Sequence, residues 1–153
     1  MSEAHLIDLA GGTLSEVAYL PLEEALLALQ AGETGLSVEI APADDVRRLA
    51  PHLSALSGIG IVFPTFRDGR GYSHARTLRD PLCWRGPMRA LGDIRRDQLN
   101  FLIRVGFDQF ALIDPRPAEA LAAATSRFSV VYQRASDEKT PVSIRRQVLE
   151  LNP

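Results

Sequence analysis

The chain has 153 residues, 46% of them hydrophobic, and a formal net charge of -2. That size and apolar content suit one domain with a real core, and a mildly acidic pI near 5.9 excludes a general nucleic-acid binder, which would be basic throughout. No apolar run approaches the roughly 18 residues of a membrane span, the start "MSEAHLIDLAGG" lacks the pattern of a secretory leader, and one cysteine, Cys83, excludes an internal disulfide, a CxxC pair or a thiolate metal centre. A cytoplasmic protein with no metal, no cofactor of its own and no membrane contact is expected.

In chain order, "LPLEEALLALQAG" predicts a helix with Pro21 near its start and Gly32 beyond its end. Short apolar runs then alternate with helical patterns. They predict strands over Leu36–Ala41, Ile59–Phe63, Met88–Leu91, Phe110–Ile113 and Ser129–Tyr132. The intervening "DDVRRLAPHLSAL", "SHARTLRD", "RRDQLNFLIRVG" and "PAEALAAATSRF" read as helices; Pro51 should break or kink the first, and Gly106 should end the third. The fold class is α/β: a single domain over residues 1–135 with about five mainly parallel strands alternating with helices, as an open doubly wound sheet or a half-barrel. Residues 136–153 read as a polar linker with a short helix or tail. An incomplete sheet leaves edges that a homodimer would cover.

The arginines cluster. Residues 65–104 hold Arg67, Arg70, Arg76, Arg79, Arg85, Arg89, Arg95, Arg96 and Arg104 against Asp68, Asp80, Asp93 and Asp97, nine minus four, or +5, so the remainder carries -7. Asp68, Asp93 and Asp114 each follow a predicted strand, at the edge where parallel sheets bind ligands because helix amino termini point there. Asp93 and Asp114 also suit helix caps. In "FRDGRGYS", Gly69 and Gly71 allow close backbone approach, Ser73 suits the cap of a helix starting at His74, and Asp68 can orient the Arg70 fork toward a small anion. "GRGYSH" fails as a dinucleotide fingerprint because His74 stands where glycine or alanine is required. His5, His52 and His74 have no metal-ligand spacing, and no nucleophile elbow or phosphate-binding P-loop is present.

"FPTFRDGRGYSHARTLRD", followed by "RGPMRALGDIRRDQLNFLIRVGFDQFALID" and "FSVVYQ", resembles the bacterial family catalogued as domain of unknown function 934, over about residues 38–133. The matching pattern runs through Phe66, Asp68 to Gly71, Ser73, Ala75, Arg76, Leu78 and Arg79, then Gly86, Arg89, Ala90, Gly92, Asp93, Asp97 and Gln98, and finally Arg104 with Gly106 to Asp108. Some members carry an oxidoreductase label. Encoding beside sulfite reductase and phosphoadenylylsulfate reductase implies a part in assimilatory sulfate reduction, with either enzyme as partner. The expected site is an anion pocket at the carboxyl ends of the strands, built from Asp68, Gly69, Arg70, Gly71, Ser73, Arg76, Arg89, Asp93 and Gln98. The alternatives are a small enzyme acting on an oxyanion or phosphorylated substrate with Asp68 or Asp93 as general base, and a structural subunit of a reductase.

Overall fold

Side chains alternate between the two faces of a strand, so register decides which residues share a face. In the computed structural model, which describes residues 4–126, the strands are β1 (His5–Asp8), β2 (Leu20–Pro21), β3 (Leu36–Ile40), β4 (Leu56–Phe63), β5 (Met88–Ile94) and β6 (Gln109–Leu112). Val38, Ile59 and Met88 form one row across the sheet, and Ile40, Ile61, Ala90 and Phe110 form another on the same face. All seven are at most 1% exposed, which makes this face the core. Between these rows, on the opposite face, runs Glu39, Gly60, Arg89 and Gln109.

The sheet order is β1-β6-β5-β4-β3-β2, with β1 antiparallel to β6 and every other pair parallel. Strands β2 to β6 therefore lie side by side in chain order. That is the singly wound order of a barrel segment, without the reversal of a doubly wound sheet. Right-handed crossovers in such an order put the connecting helices on one face. They are α1 (Leu22–Gln30), a 3₁₀ helix (Val46–Ala55), α2 (Arg70–Arg79), and α3 (Leu99–Arg104) after a 3₁₀ turn at Arg96–Gln98; α4 (Pro117–Ser126) follows β6. The other face is crossed by residues 13–19. This segment follows a turn in which the Asp8 carboxylate accepts the Ala10 and Gly12 N–H groups at 2.9 and 2.8 Å. Its start runs back along β1, with the Leu14 N–H on the Leu6 carbonyl at 2.8 Å.

Four predicted strands are present within a few residues of their expected limits; the strand over Ser129–Tyr132 and the terminal segment lie outside the described residues. Two differences are instructive. Val46–Ala55 winds as a 3₁₀ helix, started by Asp45 accepting the Arg47 N–H at 3.0 Å; Pro51 within it has no N–H to give. Helix α2 starts at Arg70, not His74, so Ser73 lies exposed inside the helix and is not its cap. The cause is tertiary. The first turn of α2 rests on the Phe63 ring, and a Cβ on Gly71 would stand 2.5 Å from that ring.

Candidate functional site at the carboxyl ends of the strands

Strand β4 leaves the sheet toward Asp68, β5 toward Asp93 and β6 toward Asp114. Asp68 binds the Arg70 guanidinium through both oxygens, at 3.0 Å from Nε and 2.7 Å from Nη2, and also accepts the Arg70 N–H at 3.1 Å. Arg95 pairs with Asp93 in the same two-pronged way, at 3.2 and 3.3 Å, and its guanidinium lies 5.4 Å above the Phe66 ring. The Phe66 backbone N–H also helps hold the Asp93 carboxyl down, and the Arg95 guanidinium over the Phe66 ring brings the turn after β5 against the turn after β4. Asp93 does not cap the following 3₁₀ turn. Asp114 accepts the Arg116 N–H at 2.8 Å, closing a turn just ahead of α4.

Gln98 stiffens this edge from below. It is 5% exposed; its carbonyl oxygen accepts the Arg95 N–H at 2.9 Å and its amide nitrogen donates to the Tyr72 hydroxyl at 3.4 Å. Tyr72 meets Phe63 edge-on with ring centres 5.2 Å apart. The electrostatics follow the pairs. Hydrogen bonds from Arg70 hold the Asp68 carboxyl below its ordinary range, and those from Arg95 do the same to Asp93. Burial pushes the Tyr72 phenol up, so it stays protonated.

The residues expected to share one anion pocket are divided. Asp68, Gly69, Arg70, Asp93 and Gln98 do stand at the carboxyl edge. Gly71 is buried against Phe63 and has no open side for a ligand. Arg76 lies six residues along α2 from Arg70, about one and two-thirds turns, where it pairs with Asp80 at 3.4 Å. With Ser73 it borders only a shallow depression of about 290 Å³. Arg89 departs furthest: it is the second residue of β5, near the amino end of the strand, and its row faces away from the helices.

A cleft that the sequence did not reveal opens between the turns after β5 and β6. It has a volume of about 410 Å³ and is lined by Arg95, Arg96, Asn100, two carboxylates, Asp97 and Asp114, and the Ala120–Ala124 flank of α4. Asn100 donates to the Ala124 carbonyl at 2.9 Å and so fixes α3 to α4. Arg96 is exposed and makes no ion pair among the described residues. A signal was present: two consecutive arginines at a helix start oppose the macrodipole and need another reason to be there.

A second missed feature lies at the other end of the sheet. Arg79, 8% exposed, donates to the Gly106 carbonyl at 2.9 and 2.7 Å, to the Trp84 and Gly86 carbonyls at 2.8 and 2.9 Å, and to Asp108 at 3.3 Å. Asp108 also accepts the Met88 N–H at 2.8 Å. The clamp joins the chain entering β5 to the chain entering β6. Burial pushes Arg79 down and Asp108 up from their ordinary values, against the attraction between them.

No group of three or more metal-ligating side chains occurs among the described residues, and none of their helices is long and apolar enough to cross a membrane. The family model described as "Bacterial protein of unknown function (DUF934)" matches residues 37–143. The chain belongs to the DUF934 family. No curated protein matches it. The DUF934 span takes in the carboxyl edge, the cleft and the Arg79 clamp, and it begins after β1, β2 and the segment crossing the helix-free face.

Proposed function

We propose that the protein is an accessory, anion-binding component of assimilatory sulfate and sulfite reduction, working in the cytoplasm beside sulfite reductase or phosphoadenylylsulfate reductase. Family resemblance supplies the pathway. One observation carries the anion reading: the cleft at the carboxyl ends of β5 and β6 has at its wall an arginine, Arg96, with no carboxylate engaged among the described residues. A guanidinium so placed suits a sulfate-like oxyanion. The enzyme alternative is less well supported, because a paired arginine makes both Asp68 and Asp93 weaker bases and neither borders the cleft.

Thermal unfolding tests this. Sulfite, sulfate and adenylylated sulfate are titrated, and at about 100 times Kd the bound ion contributes about 2.7 kcal/mol, a rise of several degrees in a domain of this size. Arg96→Ala should abolish the rise and Arg76→Ala should leave it. A flat response to all three ions rejects anion binding, and failure to co-purify with either reductase at low salt rejects the accessory role.

A further inference from the structure

The helix-free face of the sheet holds a second buried arginine. Arg89 is 3% exposed, and its Nε donates to the Gln109 side-chain carbonyl at 3.0 Å. Both Nη groups reach a single acceptor, the Ser15 backbone carbonyl, at 3.4 and 3.5 Å. These lie at the far limit of a hydrogen bond. The guanidinium carbon is 5.8 Å from the centre of the Tyr19 ring. That ring rests on Gly60, where a Cβ would come within 2.9 Å of it.

No carboxylate pairs with Arg89 among the described residues. Glu39 shares its row but stands two strands away, beyond Gly60 and the ring upon it. A buried charge without a counter-charge is costly. The paired Nη groups of a guanidinium are built to take two oxygens side by side, and one carbonyl oxygen shared at long range is a poor substitute. Burial raises the Tyr19 phenol against the pull of Arg89, with Asp108 adding to the rise, so the ring nearest the guanidinium brings no negative charge.

We propose that Arg89 is the counter-charge of a small oxyanion, a carboxylate, sulfate or phosphate group, bound between this face and residues 13–19 in the place of the Ser15 carbonyl. The segment is built to admit it. It is held to β1 at Thr13 and Leu14 and to the sheet at Leu20, while Ser15 to Ala18 between those anchors are exposed. The site is on the other face and toward the other end of β5 from the carboxyl-edge cleft, so it stands or falls separately.

Amide hydrogen exchange of residues 13–19 reads the site directly, with sodium acetate, sulfate or phosphate compared against sodium chloride at equal ionic strength. At about ten times Kd the effective anion should slow exchange of the segment about tenfold. Acetate alone acting identifies a carboxylate site, and sulfate or phosphate acting identifies a tetrahedral one. The slowing should persist in Arg96→Ala and vanish in Arg89→Met, whose melting temperature in chloride should equal or exceed that of the unaltered chain. No slowing by any of the anions, slowing that survives Arg89→Met, or a fall in melting temperature as large as that of Arg79→Met overturns the proposal. Should Arg89→Met not fold, the Arg89 Nε–H resonance of the unaltered chain decides: it moves on anion addition if the site exists, and a stationary resonance overturns it.

Discussion

Arg79 and Arg89 are both buried, at 8% and 3% exposure, and both lie within the DUF934 span. Their surroundings differ. Arg79 directs its guanidinium at three carbonyls and a carboxylate between 2.7 and 3.3 Å. Arg89 has one contact of normal length and two stretched ones. Burial of a charge therefore does not by itself mark a structural residue; the degree to which its donors are used separates a clamp from a group held ready for a ligand.

The largest expected effect breaks the clamp. Arg79→Met leaves the Trp84, Gly86 and Gly106 carbonyls without this donor and Asp108 with the Met88 N–H alone, and denaturant unfolding should show a loss of about 3–5 kcal/mol. Arg89→Met removes a poorly matched charge instead, and the same measurement should show no loss; a cost near that of Arg79→Met would erase the contrast. Gly71→Ala forces a methyl into the Phe63 ring beneath the helix that carries Arg79, so a loss of about 1–3 kcal/mol is expected, partitioned between α2 and the clamp.

The smallest effect is in the pH dependence, where the two ends of the sheet have opposite sign. Asp68 and Asp93 have folded values below their ordinary range. Their contribution is present above that range and is lost as pH falls through the folded values. Asp68→Asn and Asp93→Asn should flatten the acid limb of the stability curve, slightly, because the arginine of each pair is open to solvent. Asp108 has a raised value, so its ionisation weakens the fold as pH rises through that value. Asp108→Asn should remove that decline.

Much of this fold was legible. A period of two in "GIGIVF" and "PMRAL" places Ile59, Ile61, Met88 and Ala90 on one face, and it also put Arg89 on the other, which should have separated it from the carboxyl edge. Ala75, Leu78 and Arg79 likewise fall at helical spacing on one buried stripe, marking Arg79 as interior despite its charge. The start of α2 was not legible. "DGRG" has the composition of a turn, and only the ring of Phe63 beneath it explains a helix there. The cleft beside Arg96 depends on how α4 lies against α3, a long-range packing that no local pattern encodes.

The two borders of the sheet have a consequence for association. One is a two-residue strand that includes Pro21, and the other is shielded where Gly12 and Leu14 fold back on β1. Among the described residues neither border offers a length of unpaired backbone on which another chain could extend the ladder, which disfavours edge-to-edge growth into aggregates. Association through the described residues would then run through side chains on their faces and turns.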